Sequence, residues 1–280
     1  IDLPPYSMKK LLIILVLCLP TFAFGKGLEK KKALELIDST VMIHSGGSQG
    51  TGVTLFSHVS KDKRVKKTYI ITNKHVAGTV GASCKITKYV LLKQRNTVGK
   101  KEYDAKVVFV SKKHDISLLE VDTPVSEQFR TVEFSTEKDW DKTTLYSKIY
   151  LVSCGLGTIP TVTTGNLSYV NKDETKMGFT AHIIYGSSGG GLYNKKGQLV
   201  GLCNAIRLTR GHPITHKALG IPLPTILSEL KKSKFKFIVE QEPEPEEDNP
   251  WDEEEEEEDW NDWEDNGRED PKPKMKKRYF

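Results

Sequence analysis

The chain has 280 residues, of which 37% are apolar and 28% are charged, and its formal net charge is +5. This length and composition allow a sizeable buried core, although the counts include terminal segments that we do not expect to fold. Lysine and arginine are scattered along the chain without interleaved stacking aromatics, which argues against a specific nucleic-acid partner.

The N-terminus has the three regions of a secretory signal. Basic residues follow Met8, an apolar run covers residues 11–19, and small residues end at Gly25. We predict cleavage after Gly25, which would make the protein periplasmic or secreted. Residues 1–7 precede the expected initiator Met8 and have no predicted role. A membrane anchor is the alternative, but the apolar run is shorter than the ~20 residues that a spanning helix needs. We therefore expect no stable membrane span after cleavage.

Next come a short helix and two series of strands. The sequence pattern predicts a short helix from Leu28 to Ile37 and a terminal amphipathic helix from Pro224 to Lys232. Alternating or β-branched runs between turns predict the strands near residues 39–44, 50–57, 67–73, 86–93, 104–110 and 116–121, and then near 147–153, 162–170, 177–183, 190–194, 198–206 and 217–221. Six strands in each series fit an all-β fold of two antiparallel β-barrels with a cleft between them.

The clearest chemical signal is a serine set among glycines. Gly186-Ser187-Ser188-Gly189-Gly190-Gly191 follows the apolar run from Thr180 to Tyr185. A serine nucleophile needs a base to take its proton and donors for the oxyanion that it creates, and glycines let successive N–H groups point into one space. Ordinary loops also contain such clusters, so the rest of the chain must supply the base.

A base and a group to orient it stand at predicted strand ends. His75 follows the apolar run that begins at Tyr69, and Asp115 precedes the alternating run from Ile116 to Val121. A carboxylate that holds one ring nitrogen of a histidine leaves the other free to accept a proton. Taken singly, each residue could equally be a structural strand-end or turn residue.

The order of His75, Asp115 and Ser188, with the serine in a glycine-rich loop of the second half, resembles the chymotrypsin-like (trypsin-fold) serine peptidases, most closely their bacterial HtrA-like branch. Further matching stretches are Ser48 to Phe56, Cys154 to Gly157, Val162 to Ser168, Gln198 to Cys203 and Ala218 to Leu223. The resemblance covers about residues 36–232, within a predicted peptidase domain of residues 26–240. Its barrels would span about 36–122 and 145–232. Ser187 and Gly191 depart from the usual pattern, and no peptide-binding PDZ pattern follows the domain.

The resemblance implies a serine endopeptidase that cuts polypeptide substrates without a metal or organic cofactor. His75, Asp115 and Ser188 would be catalytic, and the N–H groups of Gly186 and Ser188 would form the oxyanion hole. The residues implied for the substrate pocket are His182, Ile183, Ile184, Tyr185, Asn204, Ala205 and Ile206. No acidic residue lies between His182 and Tyr185, which favours an apolar or small side chain at the cleavage site. The alternative is that His182 meets an acidic side chain.

Two other functions remain open. A catalytically silent descendant of the fold could bind partners without cutting them, although such a protein has no chemical need for the intact set of site residues. A viral or phage-encoded processing peptidase would share the chemistry of the first hypothesis.

Residues 241–280 form an acidic tail with a basic end. Residues 241–270 carry a net charge of −17 and residues 1–240 a net charge of +17. We predict that the tail is disordered, because so polar a segment cannot bury enough surface to offset its ordering entropy. One hypothesis is that the tail contacts the basic body and covers the cleft, with Trp251, Trp260 and Trp263 as apolar anchors; the other is a solvated tail.

Outside the signal, the cysteines are Cys84, Cys154 and Cys203. Their odd number excludes a fully paired disulfide framework in one chain, and no spacing predicts a zinc site. We expect small buried residues. Cys154 with Cys203 is the one pair to test as a disulfide, because both are assigned to the second barrel.

Overall fold

The structure, a computed structural model, describes residues 28–61, 63–92, 97–209 and 211–240. The predicted signal segment and the acidic tail, including its three tryptophans, lie outside these residues. None of the helices in the described ranges has the length and apolar character needed to cross a membrane.

The first half of the chain forms a closed six-stranded barrel. Its strands are β1 (Thr40–Ser45), β2 (Ser48–Val59), β3 (Lys66–Thr72), β4 (Ser83–Leu92), β5 (Thr97–Val110) and β6 (Ser117–Thr123). The order around the barrel is β1-β2-β3-β6-β5-β4, and every neighbouring pair is antiparallel.

The second half repeats the architecture. Its strands are β7 (Lys148–Ser153), β8 (Thr161–Val170), β9 (Met177–Phe179), β10 (Gly191–Tyr193), β11 (Leu199–Thr209) and β12 (His212–Pro222). They close in the order β10-β11-β12-β9-β8-β7. The prediction of two six-stranded antiparallel barrels is confirmed.

Alternation along the strands places neighbouring apolar residues in two different cores. Ile70 and Leu119 point into the first barrel, whereas their sequence neighbours Ile71 and Leu118 point outward into a shared core between the barrels. All four are fully buried. Because side chains alternate between the two faces of a strand, runs of adjacent apolar residues are what strands with two buried faces require.

Within the residues that the structure describes, four short α-helices join or flank the barrels. They are α1 (Lys30–Asp38), α2 (Lys74–Ala77), α3 (Glu137–Asp141) and α4 (Leu223–Lys231). The predicted N-terminal and terminal helices are confirmed within two residues as α1 and α4; α2 and α3 were not predicted. Leu36 of α1 and Ile226 and Leu230 of α4 are buried in the core between the barrels. The two terminal helices therefore help to fix how the barrels meet.

Three strand predictions differ from the structure by four or more residues at one end. Strand β12 begins at His212 rather than near residue 217. Strand β9 ends at Phe179 rather than near residue 183. The backbone hydrogen bonds that follow do not continue one strand pairing, because the Thr180 N–H donates to the Asn166 carbonyl oxygen and the Ile183 N–H to the Thr215 carbonyl oxygen. Strand β5 begins at Thr97 rather than near residue 104. Its first residues are polar and pair with β4 in a long hairpin, so they carry little apolar alternation.

Candidate active site

His75 lies where β3 ends and the short helix α2 begins. The preceding residue, Asn73, is fully buried, and its side-chain amide donates a hydrogen bond of 2.9 Å to the Asp115 carbonyl oxygen. This bond connects the end of β3 to the turn before β6. The His75 side chain is 49% exposed, so its ring lies at the protein surface.

The Asp115 carboxylate holds His75 at two points. One oxygen accepts the His75 backbone N–H at 2.9 Å, and the other lies 2.5 Å from Nδ1 of the ring. Burial alone would raise the pKa of the Asp115 carboxyl, but the hydrogen bonds from His75 outweigh it, so the pKa is lowered. An ionised carboxylate only accepts, so Nδ1 carries the proton and Nε2 of the neutral ring is left as a base.

Ser188 lies in the loop before β10, and β2 of the first barrel contacts it. The Thr51 N–H donates to the Ser188 carbonyl oxygen at 2.8 Å. Gly189, at φ +84°, is required here, because a Cβ would come within 2.1 Å of the Thr51 carbonyl oxygen. The Ser188 hydroxyl donates to the Asn204 carbonyl oxygen at 3.1 Å. In this conformer its proton is therefore directed to β11.

The adjacent Ser187 has a different environment. It is 3% exposed, and its hydroxyl oxygen accepts hydrogen bonds from the Ile184 N–H and the Ser153 hydroxyl, each at 3.2 Å. Both serines line the cleft, but the Ser187 hydroxyl is buried and stabilises the turn, whereas Ser188 is partly exposed. Of the two neighbouring serines, Ser188 is therefore the more accessible to solvent.

The peptide between Tyr185 and Gly186 has a fixed orientation. The Tyr185 carbonyl oxygen accepts from the Leu156 N–H at 2.7 Å, and the Gly186 carbonyl oxygen accepts from the Thr51 hydroxyl at 2.7 Å. Because C=O and N–H point in opposite directions across a trans peptide, the Gly186 N–H is directed away from Leu156.

The N–H groups of Gly186 and Ser188 are both available. Among the residues that the structure describes, no group accepts a hydrogen bond from either one. Gly186 has φ +91°, and a Cβ would lie 2.8 Å from the Cys154 carbonyl oxygen, so glycine is needed on two grounds. Two free N–H groups beside a serine hydroxyl are the arrangement that stabilises a developing oxyanion.

These groups border a cleft of about 460 Å³. Of the residues predicted for the substrate pocket, Ile183, Ile184, Tyr185 and Ala205 line it. His182 is exposed and does not line it, and its carbonyl oxygen accepts a hydrogen bond from the Thr163 hydroxyl of β8. Asn204 contributes its backbone carbonyl, and the side chain of Ile206 is outside the described part of the structure.

Sequence reasoning missed part of the cleft wall. Gln49 and Leu156 both line the cleft, and Leu156 is 64% exposed. Gln49 lies beside the Gly-x-Gly stretch of β2, and Leu156 has the left-handed φ of 53° inside the second glycine-rich turn. The glycines next to Gln49 and Leu156 are visible in the sequence, but a glycine pattern does not show which neighbouring side chain faces the cleft.

The three described cysteines are free and buried, so the structure has no Cys154–Cys203 disulfide. Burial raises the pKa of the Cys154 and Cys203 thiols to about 12. They act as small apolar residues around the nucleophile loop. Among the residues with described positions, no group of three or more His, Cys, Asp or Glu is placed to hold a metal ion.

Two six-stranded barrels with a His–Asp pair on one and a glycine-flanked serine on the other define the chymotrypsin-like class of proteins. Residues 50–202 match the family model described as "Trypsin-like peptidase domain", and the chain belongs to this family.

Curated relatives agree with this class. The periplasmic serine endoprotease DegP of Salmonella typhimurium is 29% identical over 190 residues, which cover 65% of this chain and 35% of that protein. DegP of Escherichia coli is 28% identical over 191 residues, covering 65% and 36%. The chain thus spans about a third of the length of these relatives.

Among solved structures, the HtrA-type protease AlgW with a tripeptide has a similar fold, with a TM-score of 0.53 and 20% identity. The match covers 70% of this chain and 60% of AlgW. The expected resemblance to the HtrA-like branch is confirmed.

Proposed function

We propose that this protein is a serine endopeptidase that hydrolyses peptide bonds through an acyl-enzyme, with Ser188 as nucleophile, His75 as general base and Asp115 as the group that orients His75. The observation that carries the proposal is the 2.5 Å contact between His75 Nδ1 and an Asp115 carboxyl oxygen, beside the cleft that Ser188 also borders. Ser188 Oγ would attack the carbonyl carbon while its proton passes to His75 Nε2, and the Gly186 and Ser188 N–H groups would bind the oxyanion. The same proton would then go to the leaving amine.

Substrate binding offers a way to direct the Ser188 hydroxyl toward His75. Asn204 is the extra residue where the pairing of β11 with β12 shifts between Cys203 and Ala205. Its carbonyl oxygen is bonded to the Ser188 hydroxyl in the free protein. If a substrate N–H donated to the Asn204 carbonyl oxygen instead, the Ser188 hydroxyl would be free to donate to Nε2 of His75. Active-site hydrogen bonds commonly tighten only when substrate is bound.

An apolar or small side chain at the cleavage site remains the preferred hypothesis. The walls contributed by Leu156, Ile183 and Ile184 are apolar, and Tyr185 is 65% exposed at the rim. A series of fluorogenic peptides that differ only at this position tests it. We expect peptides with Val or Leu at this position to be cut faster than those with Lys or Glu, and a preference for Lys or Glu would contradict the apolar-pocket hypothesis.

Hydrolysis of an unfolded protein substrate tests the function itself. We expect the wild type to produce new amino termini and Ser188→Ala to produce none. Ser228→Ala, on α4, is the matched control and should cleave like the wild type. No cleavage of any peptide or unfolded protein by folded wild type would refute the proposal.

The second candidate is a peptidase-fold protein that binds chains without cutting them. The bond from the Ser188 hydroxyl to Asn204, rather than to His75, favours it. Binding of an unfolded substrate that is recovered intact after long incubation would support this function.

Export is the proposed route to the site of action. The N-terminal sequence has signal-like regions, and the matched DegP proteins are described as periplasmic. Cell fractionation with mass analysis of the mature N-terminus should recover an exported protein that begins at Lys26.

Covering of the cleft by the acidic tail is a hypothesis from charge alone, since residues 241–280 lie outside the described residues. Removing residues 241–280 should raise peptidase activity at low salt and have little effect at high salt. Equal activity of the truncated and full-length proteins at both salt concentrations would exclude covering of the cleft by the tail.

A further inference from the structure

The turn that presents Asp115 is built around one buried hydroxyl. Ser111 is 2% exposed, and its Oγ accepts the N–H groups of Lys113 at 3.1 Å and His114 at 3.0 Å. The Ser111 N–H closes the turn by donating to the Ile116 carbonyl oxygen at 2.9 Å. The position of Asp115 therefore depends on the orientation of the Ser111 side chain.

The Ser111 hydroxyl donates its own proton to a carboxylate from a distant part of the chain. A hydroxyl can donate once and accept twice. With both acceptor positions of Ser111 occupied, its proton is directed to Glu229 Oε2, at 2.5 Å. The other oxygen, Oε1, lies 3.9 Å from His114 Nε2. A hydroxyl bound to an ionised carboxylate forms one of the stronger hydrogen bonds in proteins.

Glu229 belongs to the helix that follows the second barrel. On α4 its neighbours Ile226 and Leu230 are fixed in the core between the barrels, and its own side chain is only 14% exposed. A largely buried carboxylate needs a compensating interaction, and the Ser111 hydroxyl supplies one. The bond thus connects α4, after the second barrel, to the turn of the first barrel that carries Asp115.

We propose that Glu229 is a positioning residue for the active site: through Ser111 it fixes the turn that holds the Asp115 carboxylate against His75. The proposal rests on the proposed peptidase function for its kinetic consequence. Its structural consequence, the geometry of the hydrogen bond between His75 and Asp115, can be measured whether or not the protein cleaves peptides.

Three variants test the connection. Glu229→Met removes the acceptor at similar length, Glu229→Gln keeps an acceptor oxygen without the charge, and Ser111→Ala removes the hydroxyl. Glu240→Gln is the matched control, because Glu240 forms an exposed ion pair with Lys236 at 3.7 Å and lies outside the site. We expect kcat to fall by about 10-fold in Glu229→Met and in Ser111→Ala with KM unchanged, as for a small displacement of a catalytic group. Glu229→Gln should lie between Glu229→Met and the wild type.

A double-mutant cycle and a spectroscopic measurement complete the test. If both residues act through one contact, Ser111→Ala combined with Glu229→Met should be no slower than either single variant. The strongly deshielded proton of the hydrogen bond between His75 and Asp115 should move in the NMR spectra of Glu229→Met and Ser111→Ala and stay in place in Glu240→Gln.

Unchanged proton resonance and unchanged kcat in the folded variants would overturn the role of Glu229. The role would also be overturned if the loss of kcat in the double variant equalled the product of the losses in the two single variants. If Glu229→Met does not fold, Glu229→Gln and Ser111→Ala decide by the same readouts. Failure of wild type to cleave would refute the peptidase function instead, and the NMR comparison would still decide whether Glu229 positions Asp115.

Discussion

Replacing Asp115 by asparagine should nearly abolish catalysis while leaving the fold intact. The carboxylate accepts from the His75 backbone N–H at 2.9 Å and faces the ring Nδ1 at 2.5 Å. An asparagine has one acceptor oxygen and one donor NH₂. If its oxygen keeps the backbone N–H, its NH₂ faces Nδ1, so the ring proton must move to Nε2. The nitrogen that should accept the Ser188 proton would then already carry one.

The size of the loss in kcat distinguishes the wrong tautomer of His75 from the simple loss of one hydrogen bond. Loss of one charge-assisted hydrogen bond alone would cost about 1.5–3 kcal/mol, or roughly 10- to 150-fold in rate. The wrong tautomer is expected to lower kcat by about 10⁴-fold. The assay is steady-state hydrolysis of a fluorogenic peptide at neutral pH, with unfolding measured in parallel.

Asp122→Asn is the control, because it makes the same chemical change on β6 in an exposed ion pair with Lys67. It should retain wild-type kcat. A loss below about 150-fold in folded Asp115→Asn would refute the tautomer argument, because hydrogen-bond loss alone would account for it.

The other predictions concern acid stability, the oxyanion site and the thiols. Because hydrogen bonds from His75 outweigh burial and lower the pKa of Asp115 below 3.8, the ionised carboxylate should stabilise the fold fully above that pH and lose its contribution as pH falls through the lowered value. Urea unfolding should therefore show a smaller difference between wild type and Asp115→Asn at pH 3 than at pH 7, and a larger one would contradict the sign. Gly186→Ala should lower kcat about 10²- to 10³-fold with little change in KM, whereas Gly211→Ala, at φ +81° with open space around its Cβ, should retain wild-type kcat; equal losses would point to backbone strain alone. Cys154 and Cys203, whose thiol pKa values burial raises to about 12, should resist iodoacetamide at pH 8 in the native protein and react after unfolding; rapid native labelling would show that these thiols are accessible.

The barrels and the pairing of His75 with Asp115 could be predicted because their signals are local. Buried strands produce apolar runs such as Tyr69 to Ile71, and a histidine or aspartate at the end of such a run is visible without a structure. The contacts that hold the site together are not local. Thr51 reaches Gly186 across 135 residues and Ser111 reaches Glu229 across 118. No periodicity in the sequence reports such pairs.

The substrate pocket was predicted less well for a related reason. The prediction extended β9 through His182, which by alternation would have given that side chain a defined face. The backbone instead leaves the ladder after Phe179, because its hydrogen bonds go to two different partners. His182 is exposed and does not line the cleft. Leu156 and Gln49 line the cleft from a turn and a strand start that carry no apolar pattern.

Covalent trapping of the nucleophile tests the central claim most directly. Folded protein would be treated with a fluorophosphonate, and the modified residue identified by mass spectrometry of its peptides. We predict a single adduct on Ser188 that is absent in Ser188→Ala and forms far more slowly in His75→Ala. Folded wild type that forms no adduct, or forms it on Ser187, would contradict the assignment of Ser188 as a nucleophile activated by His75.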